Sequence, residues 1–146
     1  MSTIAENVAR IREKMAEAAR QAGRDPESIR LCAATKMNDA AAVREAIAAG
    51  VDCCGENRVQ EIQEKRPQGA YEGKPLHFIG HLQTNKVKYI VGVVDLIESV
   101  DRLELLECIE KQAAKIGVVA LHDDSADDQR HTAEGHAVGL RRGMAV

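Results

Sequence analysis

The sequence predicts an α/β protein in which one leading helix is followed by four strand–helix units. Three observations predict it. The chain opens on an amphipathic stripe, with Ile4, Val8, Ile11, Met15 and Ala18 spaced by threes and fours. Short apolar runs then alternate with helical patterns from Ile29 to Gly117. Each run ends in polar residues: Thr35-Lys36, Gly55-Glu56-Asn57, Gly80-His81-Leu82-Gln83 and Ser99-Val100-Asp101. Such alternation builds a parallel sheet with helices outside, either a β/α barrel or an open doubly wound sheet. No GxGxxG follows the first strand, which disfavours the dinucleotide-binding version.

Taken in order, Thr3 to Ala22 reads as a helix with a Thr3/Glu6 capping box at its start and Gly23 as its stop. Asp25 to Ser28 is a loop, because Pro26 disfavours helix at the residue before it. Ile29 to Thr35 is the first strand, and Asn38 or Asp39 caps a helix that ends at Gly50 and buries Val43, Ala46 and Ile47. Val51 to Cys54 is a second strand. A helix from Asn57 to Lys65 follows, with Val59 and Ile62 inward, ended by Pro67. After a polar loop, Leu76 to Ile79 is the third strand, Thr84 to Val91 a helix and Val93 to Ser99 the fourth strand. Asp101 and Glu104 predict a cap for the last helix, whose stripe is Leu103, Leu106, Ile109, Ala113 and Ile116. Val118-Val119 begins a fifth strand. The expected division is 1–119 as the β/α part and 120–146 as a divergent, weakly ordered polar tail without sustained period.

At 146 residues the chain makes one domain with a real core. A net charge of -3, one Phe, two Tyr and no Trp speak against a nucleic-acid partner. No apolar run approaches the roughly 20 residues needed to cross a bilayer. The N-terminal pattern, with Glu6 and Glu13, fits neither a signal nor a transit peptide, so a cytoplasmic protein without a membrane partner is expected. Cys32, Cys53, Cys54 and Cys108 form no CxxC pair and read as small core residues, with Cys53 and Cys54 on opposite faces of a strand. His122, Asp123, His131 and His136 match no compact metal-ligand spacing.

The C-terminal ends of parallel strands gather on one face, where chemistry is done. Lys36 ends the first strand. A partly desolvated lysine there has a lowered pKa and a neutral amine that attacks carbonyls to form a Schiff base. Asn57 is placed to hydrogen-bond an oxygen or hydroxyl of a carbonyl cofactor. His81 is placed to stack on a planar ligand, or else to donate to a loop carbonyl. Gly55 and Gly80 allow close backbone approach or simply serve turns. Glu56, Gln83 and Asn85 are candidate helix caps, and Lys86 and Lys88 a solvated face.

Four stretches carry a more specific signal: Ala34-Thr35-Lys36, Gly55-Glu56-Asn57-Arg58-Val59-Gln60-Glu61, His77 to Lys86 (HFIGHLQTNK) and Ile97-Glu98-Ser99-Val100-Asp101. In this order they resemble the pyridoxal phosphate homeostasis family, related to the N-terminal barrel of alanine racemase, over about the first four-fifths of the chain. The resemblance implies a (β/α)8 TIM-type barrel with an extra N-terminal helix, here incomplete at four to five parallel strands. It implies pyridoxal 5′-phosphate (PLP) as cofactor, held as a Schiff base on Lys36, with Asn57 and His81 lining the cofactor face. It implies binding and homeostasis of PLP without established turnover, and no catalytic or metal residue. The alternatives are a racemase-like enzyme acting on amino acids and a structural fragment that binds nothing.

Family members continue into further strands, a serine-rich loop and an Arg/Gly segment that bind the phosphate, and nothing from Ala120 onward resembles these. Gly139 to Gly143 is only superficially similar to the arginine segment. The expectation is a truncated or frame-shifted reading of a longer protein. Its unpaired strand edges predict self-association or marginal stability, and its missing phosphate cradle predicts weakened affinity.

Overall fold

In the computed structural model, Thr3 opens α1 (Ile4–Gln21) through the predicted capping box. Its hydroxyl accepts from the Glu6 N–H at 3.1 Å, and the Glu6 carboxylate accepts from the Thr3 N–H at 2.8 Å. The structure describes residues 2–122 and 136–142, and the chain divides into two units, residues 1–55 with 60–75 and residues 56–59 with 76–146.

The first unit carries α1, a 3-10 turn at Pro26–Ser28, β1 (Cys32–Ala34), α2 (Ala40–Ala48), β2 (Cys53–Glu56) and α3 (Val59–Lys65). β1 and β2 pair in parallel, Cys32 opposite Cys53 and Ala34 opposite Gly55. Asp52 sets the start of this ladder. Its carboxylate accepts from the Leu31 N–H and from the Arg12 guanidinium, each at 2.6 Å, and Arg12 also donates to the Gly50 carbonyl. One carboxylate thereby ties α1 to the entry of both strands. Asp39, the better of the two predicted caps, accepts from the Ala42 N–H at the start of α2.

Several elements differ from the sequence reading. β1 begins at Cys32 rather than Ile29, because the Ile29 N–H closes the 3-10 turn on the Pro26 carbonyl. β2 starts two residues late, since the Val51 N–H still reaches back to the Ala46 carbonyl. α3 starts at Val59, two residues after the expected Asn57. α1 buries Val8 and Ala19, while Ile11 and Ala18 of the predicted stripe are exposed. Cys53 and Cys54 are both buried as expected of core residues, but Cys32 is exposed.

The second unit carries β3 (Leu76–Phe78), a 3-10 turn at Thr84–Lys86 running into α4 (Val87–Ile90), β4 (Leu96–Val100), α5 (Leu103–Ile116), β5 (Val118–His122) and β6 (His136–Arg142). β3 and β4 are parallel, with His77 opposite Leu96 and Phe78 opposite Ile97. β6 is antiparallel to both β4 and β5 and lies between them. Two stretches of the segment expected to be a polar tail are therefore strands. Residues 123–135 and 143–146 are outside the described residues, and with them Asp123, His131 and Gly143. β4 starts at Leu96 because the Val93 and Val94 N–H groups still bond the Ile90 carbonyl. The expected Asp101/Glu104 cap is not made. Arg102 occupies the N-cap position of α5, and the Asp101 carboxylate accepts from the Arg102 guanidinium instead. The buried face of α5 is Leu105, Ile109 and Ala113, so Leu103 and Ile116 point outward.

These elements make an α/β fold whose parallel pairs follow the predicted alternation. Among the described residues, no helix is long and apolar enough to cross a membrane.

Candidate functional site

β1 delivers the chain into a tight turn whose central residues are Lys36 and Met37. The Asn38 N–H closes it on the Thr35 carbonyl at 3.2 Å, and Met37 adopts φ 61°, a left-handed conformation rare for a residue with a side chain. Lys36 is exposed, and no hydrogen bond or ion pair engages its amine among the described residues. The expected desolvation is therefore absent. The cause is the strand's period: Cys32 and Ala34 lie on the exposed side of β1, and Lys36 follows two residues on.

The backbone of that turn is held on every side. The Thr35 N–H donates to the Gly55 carbonyl at 2.9 Å. Asn38 Nδ2 donates to the Lys36 carbonyl at 3.0 Å. From α3, Glu61 Oε2 accepts from the Met37 N–H at 2.8 Å, and Lys65 Nζ donates to the Thr35 carbonyl and to Glu61, each at 2.8 Å. Thr35 and Lys65 are buried. Glu61 and Lys65 did not emerge from the sequence as site residues. Glu61 closes one of the family-like stretches, and its i,i+4 spacing to Lys65 reads equally well as a surface pair.

Asn57 and His81 belong to the second unit, where Gly80, the residue before His81, packs against Asn57. The Ile79 N–H donates to the Glu56 carbonyl at 2.8 Å, drawing the end of β3 against the chain at Asn57. A Cβ at Gly80 would meet Asn57 backbone atoms, so close approach is the reason for this glycine. The Asn57 Oδ1 is buried with no hydrogen-bond partner among the described residues. It is an acceptor left open for a donor. His81 is exposed. Its Nδ1 lies 3.9 Å from Asp101 Oδ2, at ion-pair rather than hydrogen-bond distance. The Arg102 guanidinium beside Asp101 holds that carboxyl below its usual value, and Arg102 also donates to the Leu82 carbonyl at 2.8 Å. Gln83 stands at the start of the following turn without a side-chain capping bond. A further polar pair, missed in the sequence, joins the neighbouring strands β3 and β4: His77 Nδ1 and Glu98 Oε1 are 2.7 Å apart.

The sequence family described as alanine racemase, N-terminal domain, matches residues 2–131. Among curated relatives, the pyridoxal phosphate homeostasis protein of Pseudomonas aeruginosa is 45% identical over 112 residues, covering 77% of this chain and 49% of that protein. The homeostasis protein of Aquifex aeolicus is 40% identical over 114 residues, covering 78% and 50%. Among solved structures, an unknown protein from Bifidobacterium adolescentis superposes with a TM-score of 0.73 at 41% identity, covering 78% of this chain and 51% of that one. PipY of Synechococcus elongatus PCC7942, with PLP bound, gives 0.66 at 37% identity, covering 79% and 50%. The chain spans about half the length of the curated relatives it matches.

Proposed function

Since the chain belongs to the pyridoxal phosphate homeostasis family and carries its alanine racemase N-terminal domain, we propose that it holds PLP on the Lys36 amine, as a binding protein without turnover. The observation that carries this reading is an exposed lysine amine, unengaged among the described residues, on a turn whose backbone is fixed by Thr35, Asn38, Glu61 and Lys65. The solved relative PipY, with PLP bound, supports it.

When bound, PLP supplies an aldehyde that condenses with an amine to a Schiff base, the carbonyl oxygen leaving with both amine hydrogens as water. Lys36 offers that amine directly to solvent. Within the second unit, Asn57 carries a buried Oδ1 without a hydrogen-bond donor among the described residues, an acceptor of the kind a ring hydroxyl would meet. The His81 imidazole offers a flat face or a ring nitrogen from the end of β3. Gly80 keeps that end against the Asn57 backbone.

The test is visible absorbance after PLP is added to wild type and Lys36→Ala, followed by borohydride reduction and peptide mapping. A Lys36-dependent band, fixed by reduction to the peptide holding Lys36, supports the reading. An equal band in Lys36→Ala, from other surface amines, overturns it. Exchange of an amino acid's α-proton with solvent, measured with and without PLP, separates binding from turnover; PLP-dependent exchange would make the protein an enzyme.

A further inference from the structure

We propose that Glu61 and Lys65 of α3 are positioning residues that fix the direction of Lys36; the proposal rests on the reading of Lys36 as the PLP-holding amine. A side chain leaves its backbone in a direction set by the two peptide units that flank its Cα. For Lys36 these are the Thr35–Lys36 and Lys36–Met37 peptides, and the Glu61–Lys65 pair reaches both. Lys65 Nζ bonds the carbonyl of the first at 2.8 Å, and Glu61 Oε2 bonds the N–H of the second at 2.8 Å. The two charges are themselves joined at 2.8 Å, so a single ionic bridge spans the residue from one side to the other.

Asn38 completes the fixation from within the turn. Its N–H bonds the first carbonyl, and its Nδ2 bonds the second peptide's carbonyl. The second peptide is the one under strain, because Met37 sits at φ 61°. Relaxing Met37 to negative φ requires that peptide to rotate, which would turn the Met37 N–H away from Glu61 and re-aim Lys36. The bonds from Glu61 and Asn38 oppose that rotation from opposite ends of the same peptide.

The pair differs from an ordinary exposed i,i+4 bridge. The side chains of Lys65 and Glu61 are only 8% and 15% exposed. Charged hydrogen bonds at such a place are stronger than at the surface. A lysine four bonds long is otherwise a mobile amine, and holding its origin keeps the amine within reach of a bound carbonyl.

The experiment uses the full chain with Glu61→Ala, Glu61→Gln, Lys65→Met and Met37→Gly. Two readouts are taken: hydrogen exchange of the Met37 amide, and the yield of borohydride-fixed cofactor on Lys36 at subsaturating PLP. The Leu31 amide, held by Asp52, serves as an exchange control. Glu61→Ala and Lys65→Met are expected to lower fixation about tenfold, and Glu61→Ala to speed Met37 exchange about tenfold without changing the control. Glu61→Gln, which keeps an acceptor oxygen, is expected to restore much of the Met37 protection. Adding Met37→Gly to Glu61→Ala is expected to restore fixation, because glycine holds positive φ without the bridge.

The proposal is overturned if Met37 exchange and Lys36 fixation are unchanged in Glu61→Ala and Lys65→Met. It is also overturned if both variants only lower the melting temperature and Met37→Gly restores nothing, which is the outcome for a purely structural pair. If wild type shows no fixation on Lys36 at all, the PLP reading fails. Met37 exchange then still decides whether the bridge holds the turn.

Discussion

Gly80 stands against Asn57 so closely that a Cβ added to it would collide with the Asn57 carbonyl oxygen and lie 2.6 Å from its Cα. Both obstacles are backbone, which cannot swing aside like the end of a side chain. Gly80→Ala is therefore expected to destabilise the protein by about 1–3 kcal/mol, the usual range for forced overpacking. It should also weaken the proposed PLP binding, since Asn57 must move. Urea denaturation and cofactor titration check the two effects, and an unchanged unfolding midpoint would contradict the contact.

Lys36→Ala is expected to behave in the opposite way. The side chain is exposed and engages no partner among the described residues, so stability should change by no more than about 0.5 kcal/mol. The PLP absorbance band should disappear. A large loss of stability would mean that the lysine serves the fold.

Asp52 predicts an acid dependence. Burial pushes its carboxyl up, but the Leu31 N–H and the Arg12 guanidinium outweigh burial and hold it below the ordinary carboxylate value. A carboxyl depressed on folding contributes stability that is complete above its unfolded value, about 3.9, and is lost as pH falls through the folded value. Stability should thus fall as pH drops below about 4, and Asp52→Asn should flatten that fall while lowering stability at neutral pH. Melting curves at closely spaced pH values decide; an equally steep acid loss in the variant would assign it to other carboxylates.

Among the described residues β5 is the outer strand of the second unit's sheet, and Val119 and Leu121 on it are 49% and 42% exposed. An apolar outer strand is a template for pairing with another chain. We expect concentration-dependent self-association in sedimentation velocity, reduced by Val119→Lys or Leu121→Lys. A single monomeric species at all concentrations would refute this.

The Thr3/Glu6 capping box, the Asp39 cap and the stop at Gly117, which adopts φ 74°, were all legible in the sequence. So were the parallel direction of the first four strands and the polar residues at their ends. Boundaries were less legible. Val51 and Val94 look like strand residues, yet their N–H groups remain committed to the preceding helices. The face of α5 was misread by the same limitation: apolar residues lie on more than one side of it, and only the neighbouring surface selects Leu105 over Leu103.

The sequence by itself determined what depends on residues within a few positions of one another: helix starts and stops, the strand–helix alternation, and the motifs that mark the family and Lys36. Interactions of that range are encoded where they act. The tertiary structure decided what depends on partners far along the chain. It left Lys36 exposed, set β6 between β4 and β5, pressed Gly80 onto Asn57, and brought Glu61 and Lys65 to a turn 24 and 30 residues upstream. A local pattern records a side chain's type and period but not which distant backbone group completes its hydrogen bonds, and that completion fixes the backbone of the turn around Lys36.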